Sequence, residues 1–470
     1  MPTFNEINGL RKSGDLDGAR VAALETLKSK PHDKFIQGAY GWVLYEQLKR
    51  DIDAFEKSEV SLEHLIGTLN QVADEYRRLD ALQKPELLHS RLFSLMLKTA
   101  DNWPEFIPFA RWWGFENFRD DDCKPFTPSN GGRPIPSIQM RAFYVVGKAI
   151  TRGHVSDENM SWALDTLDAA LCSYPDDIWL NHYKAKSLLA CNRRVEALNF
   201  ALPVLMRKIR SAWAWSLLGQ IIEPNDLKEA IVCYYRAINL AGQPTEVLKT
   251  RVKLARLLAK VDRFAEAATQ VRKARHDREE AGWRIDQDLQ ELLDAAWYKQ
   301  QSSQNMQEPN MENASLEILY KIYPNGFTHK TGVLESHNLT KELVYVAFTS
   351  RDGITVPYRC NKELRKMSTG TILDTSMVMS DGHQQVVSVR KSNKKDIPEL
   401  IANVSGLIHL AEGRPFAFIV LKSGERVYVS PDIVTKYDLV DGSIVTGEAV
   451  RSVEKKSGNE GWKLLKLNIA

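Results

Sequence analysis

Residues 406–468 read GLIHLAEGRPFAFIVLKSGERVYVSPDIVTKYDLVDGSIVTGEAVRSVEKKSGNEGWKLLKLN, and this stretch decides the fold of the last part of the chain. Short runs rich in Val, Ile, Phe and Tyr are separated by Glu-Gly, Ser-Gly-Glu, Asp-Gly and Ser-Gly-Asn turns. Short strands at this spacing, with glycine in the turns, are typical of small antiparallel barrels. The stretch therefore predicts about five strands that close into one barrel.

Two of these predicted strands carry aromatic side chains that alternate with aliphatic ones. Because side chains two residues apart lie on the same face of a strand, one set faces the barrel interior and the other faces outwards. If the aliphatic set fills the barrel, then Phe416, Phe418 and Tyr428 lie together on its outer face. The aliphatic set consists of Ala417, Ile419, Val427 and Val429.

Cations flank the three aromatic rings, namely Arg414, Lys422 and Arg426. Unpaired bases stack on aromatic side chains, and each stack contributes about 1–3 kcal/mol. We therefore predict that the three rings stack the bases of single-stranded RNA or DNA while the three cations contact its phosphates. In the alternative interpretation, Phe416 and Phe418 belong to the barrel core and bind nothing.

Three motifs in this stretch resemble the cold-shock and S1-like family of OB-fold domains, which bind single-stranded nucleic acid. Residues 414–419, RPFAFI, are similar to the family's first ribonucleoprotein motif, KGFGFI, and residues 427–430, VYVS, resemble its second, VFVH. Residues 439–445 match the family's L-x-x-G-x-x-V. The resemblance implies a smaller stacking surface than the family's own. The departures from the family pattern are Leu410 in place of Trp, Ser430 in place of His and Pro431 in place of an aromatic residue.

Residues 1–297 read as successive helices, because apolar side chains recur at spacings of three and four residues. Small side chains recur beneath this pattern with a period of about 34 residues, which resembles the tetratricopeptide repeat. Trp215-x-x-Leu218-Gly219-x-x-Ile222 matches that family's first-helix pattern. The resemblance implies a solenoid of stacked hairpins that docks a protein partner. The repeated positions are Ala19 and Ala23; Ala163, Leu167 and Ala170; Ala197, Ala201 and Val204; Ala230, Tyr234 and Ala237; and Ala267, Val271 and Ala274.

An insert at residues 102–138 interrupts the helical pattern with many Trp, Phe and Pro residues. Aromatic side chains mostly serve burial, so we expect a loop that packs over the helices, with a protein-docking site as the alternative. Asp120, Asp121 and Asp122 suggest a metal site. Three adjacent carboxylates do not converge on one ion without a special loop, so we expect a solvated turn.

A stripe of cations follows one face of a predicted helix. Its members recur at steps of three and four residues, and the alternative to a binding role is a solvated polar face. By resemblance to tetratricopeptide hairpins, part of the stripe faces the concave groove, where an acidic peptide or a nucleic-acid backbone would bind. The stripe consists of Lys249, Lys253, Arg256, Lys260 and Arg263, of which Lys249, Arg256 and Lys260 are the groove-facing members.

The polar residues 298–322 predict a linker. Beyond it, residues 323–391 repeat the order of the last domain and predict a degenerate OB-like barrel with Tyr345, Phe348 and Tyr358 as candidate surface aromatics. A basic linker is predicted at residues 392–402, before the cold-shock/S1-like barrel at 403–470. The cations from Arg390 to Lys395 either contact phosphates between the barrels or belong to a solvated linker.

The 470 residues carry a net charge of only +3 and five cysteines. The cysteines form no Cys-x-x-Cys pair, and no apolar run is long enough to span a membrane, so we expect a soluble cytoplasmic protein. We found no catalytic motif and predict no cofactor. A metal nuclease built on Asp441, Glu454 and Lys456 is a remote alternative, since these residues fall at a predicted turn and strand end.

The predicted fold class is therefore multidomain α + β, with an amino-terminal all-α solenoid followed by two small all-β barrels. The predicted function is that of a non-enzymatic adaptor, which binds single-stranded RNA or DNA through the last barrel and a protein through the solenoid. A purely protein-binding scaffold is the alternative. The arrangement also resembles proteins of the bacterial TOTE conflict systems, which implies a role in anti-phage defence. Oligomeric state and base preference stay open.

Overall fold

A computed structural model of the chain confirms the predicted order of a helical region followed by two small β domains. Two compact units make up the chain, residues 1–204 with 220–225, and residues 205–219 with 226–470. Helices α10 and α11, given below, cross the division. The structure describes residues 1–128, 131–151, 155–380, 382–410, 412–453 and 458–468.

The first unit is helical, and side-chain caps fix where several of its helices begin. Thr3 forms a capping box with Glu6, and the Ser61 and Asp177 side chains each accept a backbone N–H of the following turn. The helices are α1 (Phe4–Ser13), α2 (Leu16–Ser29), α3 (Lys34–Glu56), α4 (Leu62–Arg77), α5 (Leu87–Thr99), α6 (Phe106–Trp113), α7 (Ile138–Ala149), α8 (Asp157–Ser173), α9 (Ile178–Ala190) and α10 (Arg194–Arg207).

The aromatic insert packs into the core of this unit, as expected. Trp113 is fully buried, and its ring stacks on Phe93 at 4.2 Å and on His89 at 4.5 Å between centroids. The expected solvated turn is wrong for Asp122, because its carboxylate is 2% exposed and bonds to Arg119 and a serine hydroxyl. Burial of that carboxylate is possible only because its charge is paired.

The helices of the second unit bury the small residues of the repeat. Trp215 is fully buried, and its indole N–H donates to the Ile209 carbonyl at 2.7 Å. Only glycine fits at position 219, since a Cβ there would lie 2.8 Å from the Tyr234 ring. The helices are α11 (Ala212–Ile222), α12 (Leu227–Leu240), α13 (Leu248–Lys260), α14 (Phe264–Glu280), α15 (Gln287–Asp294), α16 (Ala296–Lys299) and α17 (Glu312–Ile322).

The predicted linker at residues 298–322 is wrong. Its second half is the helix α17, which packs on α12 and buries Leu316 and Leu319. Its first half is held by Arg272, which donates to the Ser302 and Gln304 carbonyls and to the side chain of Asn305. Backbone carbonyls of the segment and the Asn305 side chain therefore bond to a helix, although residues 302–307 are exposed.

The first β domain is a five-stranded antiparallel sheet in the order β3-β2-β1-β4-β5. This is the OB-fold order without the pairing that closes the barrel, since no described residues of β3 and β5 pair. Short 3-10 turns at 358–366 follow β3, and there the Asn361 amide donates to the Val389 carbonyl of β5 at 3.0 Å. The strands are β1 (Thr328–Asn338), β2 (Leu343–Ala347), β3 (Gly353–Pro357), β4 (Ile372–Ser380) and β5 (His383–Lys391).

The prediction of surface aromatic residues on this first domain is wrong. Phe348 and Tyr358 are 8% and 7% exposed and belong to its core, together with Leu334 and Val346. Tyr345 is half-buried against the neighbouring domain.

The last domain is a closed barrel in the order β10-β8-β7-β6-β9, with β10 parallel to β8 and the other pairs antiparallel. This topology is that of an OB-fold. Its core contains the predicted aliphatic set, which is fully buried. The elements are β6 (Ile401–Leu410), β7 (Ala417–Leu421), β8 (Arg426–Val429), α18 (Pro431–Lys436), β9 (Ile444–Val453) and β10 (Glu460–Leu467).

The predicted basic linker at residues 392–402 is also wrong, because part of it is core. Ile397 and Leu400 are 6% and 1% exposed. They form one apolar cluster with side chains from both β domains, which we call the junction core. Its members are Val333, Ala347, Ile372, Ile397, Leu400, Val450 and Leu465.

Candidate nucleic-acid interface

Three aromatic rings lie in mutual contact on the outer face of β7 and β8. The centroid of the Phe416 ring is 5.7 Å from that of Phe418 and 5.6 Å from that of Tyr428. Phe418 and Tyr428 are directly paired across the two strands, with centroids 6.2 Å apart. All three rings are partly exposed, whereas the side chains between them are fully buried. We call these three residues the ring triad.

All three predicted cations are exposed, and two of them lie beside the ring triad. The guanidinium of Arg414 lies 5.8 Å from the Phe416 ring centroid, and that of Arg426 lies 5.9 Å from the Phe418 centroid. Lys422 lies in the β7–β8 turn, about 20 Å along the strand from Phe416 at about 3.3 Å per residue. The structure thus brings the two arginines to the rings and leaves the lysine in the turn beyond the far end of β7.

Sequence reasoning missed two residues that extend this face. His409 pairs with Phe418 and is exposed, and Lys463 pairs with Tyr428 from the other side. A row of four outward side chains therefore crosses the strands β6, β7, β8 and β10. The signal for His409 is the alternation along β6. Because Ile408 faces the core, its neighbour His409 faces outwards.

Lys463 is held by a carboxylate from the first β domain. Its Nζ lies 2.8 Å from Oε1 of Glu335, and the two side chains are 28% and 12% exposed. Burial raises the pKa of the neighbouring Tyr345 phenol, and the charge of Glu335 adds to that shift. The first β domain therefore contributes a negative charge at the edge of the candidate interface.

A second contact between the domains holds the base of the β9–β10 connection. Ser350 donates to Oε1 of Glu460 at 2.7 Å, and Arg351 donates to the Gly458 carbonyl at 3.2 Å. The Ser350 hydrogen bond, with the charges of Arg351 and Arg451, lowers the pKa of Glu460. In OB-folds this connection borders the face that binds oligonucleotides.

Of the three candidate nuclease residues, one lies in a turn and two lie outside the described part of the chain. Asp441 accepts the backbone N–H of Leu410 at 2.7 Å and lies 3.7 Å from the His409 ring, so its carboxylate caps a strand end. Glu454 and Lys456 lie outside the described residues. Within the described ranges, we found no group of three His, Cys, Asp or Glu side chains placed to hold a metal ion.

Four of the five stripe cations lie on α13, whereas Arg263 lies beyond its end and immediately precedes α14, so the predicted single helix is wrong for Arg263. Arg256 forms ion pairs with Asp288 at 2.6 Å and Glu291 at 3.0 Å on α15. The hydrogen bond to Asp288 raises the pKa of the guanidinium. Arg263 pairs with Glu266 in the same way. The α15 carboxylates thus lie beside Arg256, and the groove-facing role of the stripe stays a prediction.

Two family models match parts of the chain. Residues 402–467 match the S1/CSD-like domain 2 of the TOTE conflict systems, and residues 178–316 match a domain of unknown function (DUF7017). The second match includes the segment before α17 and the first part of that helix, so it extends over most of the predicted linker. Comparison with curated proteins returns no match. No described helix has the length and apolar character needed to cross a membrane.

Several solved structures match part of the chain. MamA from Desulfovibrio magneticus RS-1, from residue 41 to its end, is 17% identical over 41% of this chain and 96% of its own, with a TM-score of 0.30. The MamA RS-1 ArsTM double mutant is 18% identical over 41% and 96%, with a TM-score of 0.29. The TPR2AB-domain:pHSP90 complex of yeast Sti1 is 13% identical over 63% and 95%, with a TM-score of 0.23. Residues 402–467, which follow the helical region, thus form a domain that is similar to the S1/CSD-like family.

Proposed function

We propose that this protein is a non-enzymatic adaptor whose last domain binds single-stranded RNA or DNA on the ring triad. The observation that carries the proposal is the contact of Phe416, Phe418 and Tyr428 on the outer face of β7 and β8, with Arg414 and Arg426 beside them. This is the strand pair that oligonucleotides contact in OB-folds. The family match of residues 402–467 supports the same class of ligand.

The outward rings have a physical cost that a stacked base removes. Three adjacent, partly exposed rings leave apolar area in water, and a base covers that area with its own π-face. Each stack contributes about 1–3 kcal/mol, so two rings contribute about 2–6 kcal/mol. The arginines add phosphate contacts, whose strength falls with salt as condensed counterions return to the strand.

The test is binding of a labelled single-stranded oligonucleotide to the full chain at low salt, measured by fluorescence anisotropy. We expect the double substitution Phe416→Ala and Phe418→Ala to weaken binding by at least about 30-fold, since about 2 kcal/mol corresponds to that factor. Tyr428→Phe keeps the ring and should keep the affinity, whereas Tyr428→Ala should lose it. Circular dichroism and thermal melting establish that each variant is folded.

A matched control removes two exposed phenylalanines elsewhere. Phe35 and Phe126 are 63% and 62% exposed in the first unit, and their replacement by Ala should leave binding unchanged. Equal affinity of the ring-triad variant and this control would refute the proposal. A wild-type chain that binds no single strand at low salt would favour the protein-binding scaffold instead.

The helical region supplies the adaptor's second part in this proposal, as a docking surface for a protein. Its hairpins bury small side chains at the repeated positions, as tetratricopeptide arrays do. The match of the last domain to a component of TOTE conflict systems supports a role in bacterial anti-phage conflict. In that role the chain would bring an invader's unpaired strand to a protein partner.

A further inference from the structure

The positive charge of the chain is concentrated on two segments of the first β domain. Residues 358–366 and 388–395 hold eight lysines and arginines against one glutamate, although the whole chain carries only +3. The rest of the chain is therefore net negative. We call these eight cations the basic cluster: Arg359, Lys362, Arg365, Lys366, Arg390, Lys391, Lys394 and Lys395.

The fold brings the two segments together, although more than twenty residues separate them in the sequence. The 3-10 turn at 358–360 packs against β5 and against the next turn, 362–366, and between them the Asn361 side chain donates to the Val389 carbonyl of β5 at 3.0 Å. Lys391 lies two residues beyond Val389 and therefore on the same face of the strand, whereas Arg390 lies on the opposite face. Lys394 and Lys395 follow in the connector, where both are exposed.

The cluster is exposed and almost without carboxylate partners. All eight residues are exposed. Of the eight cations, Lys366 alone forms an ion pair with another described residue, Glu363, at 3.7 Å. Asp374 is the strand partner of Arg390, yet its carboxylate accepts from Thr331 and Ser392. Cations at this density create a local potential that attracts anions.

The surroundings of the cluster favour a polyanion over an acidic protein. The large apolar side chains of the two segments are buried, with Leu364 at 0%, Val389 at 4% and Tyr358 at 7% exposed. The centre of a protein interface is normally apolar, whereas a nucleic-acid backbone needs only cations. A phosphate every few ångströms along a strand also matches a cluster spread over two segments.

We propose that the basic cluster is a second contact site for the phosphate backbone of the same strand that stacks on the ring triad. The inference rests on the proposed function and adds a length dependence to it. A short oligonucleotide engages the ring triad alone. A longer one also reaches the basic cluster and gains affinity that depends steeply on salt.

The experiment compares labelled single strands of about 5 nucleotides, at the lower end of the range of one OB-fold site, and of about 25 nucleotides, above that range. One variant replaces Lys391, Lys394 and Lys395 by Gln, and a second replaces Arg359, Lys362 and Arg365 by Gln. For the long strand, we expect each variant to lose about tenfold in affinity and to lower the salt slope by about 2, since each lost contact lowers it by about 0.7. The short strand should bind as before.

A control variant replaces three exposed lysines of the helical region, Lys28, Lys30 and Lys57, by Gln and should leave both strands unaffected. The inference is overturned if the long strand binds both cluster variants as tightly as it binds this control. It is also overturned if the cluster governs binding to anionic phospholipid vesicles and not to the long strand. Failure of the short strand to bind the wild type would instead refute the ring-triad proposal, so the two failures are distinguishable.

Discussion

Replacing Leu400 by Ala should destabilise both β domains, because this side chain of the predicted linker is a central part of the junction core. Leu400 is 1% exposed and lies in one cluster with Val333 and Ile372 of the first sheet and Val450 and Leu465 of the barrel. Its carbonyl also accepts the backbone N–H of Arg451 at 2.8 Å, a bond that the substitution leaves in place. The change therefore reports the side chain alone.

The expected magnitude follows from burial. Leu→Ala at a buried site costs about 2–5 kcal/mol, made up of the lost transfer free energy and the cavity that remains. The cavity would lie between two sheets whose backbones are hydrogen-bonded, so collapse around it is limited. We therefore expect the free energy of opening to fall within that range for the strands that line the junction core.

Hydrogen exchange of the full chain, followed by mass spectrometry, measures this change locally. Amides of β9 and β10 that exchange through opening of the barrel should exchange about 30-fold to a few thousand-fold faster, since each 1.4 kcal/mol is a factor of ten. Peptides from α1 to α5 belong to the other compact unit and serve as the internal reference.

The matched control is the neighbouring residue. Glu399 is exposed, so Glu399→Ala should change the opening free energy by less than about 0.5 kcal/mol. Equal exchange in the Leu400→Ala and Glu399→Ala proteins would refute the reasoning. Residues 392–402 would then behave as the solvated linker that their composition suggests.

Three further predictions concern packing, pH and charge. Gly219→Ala should lower the free energy of unfolding, measured in urea, by about 1–3 kcal/mol, because the new Cβ would lie 2.8 Å from a tyrosine ring. In the control Gly9→Ala, no atom lies within 4 Å of the new Cβ, so the free energy of unfolding should not fall. Burial lowers the pKa of His89 to about 3, so the unfolded chain binds a proton more readily than the folded chain does. The melting temperature should therefore fall as the pH drops below about 6.5. A melting temperature that stays constant from pH 7 to 4 would contradict this. Glu335→Gln should release Lys463 and raise the affinity for the short strand several-fold with a steeper salt slope. A loss of short-strand affinity would contradict the placement of that lysine on the binding face.

Local pattern was sufficient to predict the barrel and the orientation of its rings. Side chains along a strand alternate between its two faces. Only one register therefore places the aliphatic neighbours of Phe418 and Tyr428 in the core. Small residues at the repeat positions likewise predicted helices that approach closely. These features depend on residues near one another in the chain.

Contacts between distant residues were not predictable in this way. Arg256 pairs with carboxylates 32 and 35 residues away, and Lys463 bonds to Glu335 across 128 residues. The polar residues before α17 read as a linker because their composition is that of one, and their bonds to Arg272 depend on a helix elsewhere in the sequence. Ile397 and Leu400 were missed because exposed residues surround them, so no periodic pattern marks their burial.

The buried connector changes what two weak sites on the β domains can achieve together. With a flexible linker, a strand held on the ring triad would meet the basic cluster at an effective concentration that falls as the linker lengthens. Ile397 and Leu400 instead fix the connector in the junction core, and the Glu335–Lys463 pair adds a polar contact across the same junction. The separation of the two surfaces is then constant, so a strand long enough to span it gains the second site without the entropy cost of ordering a linker. Disrupting the junction core should therefore reduce long-strand affinity even when both surfaces are intact, which couples the stability of the junction to the length dependence of binding.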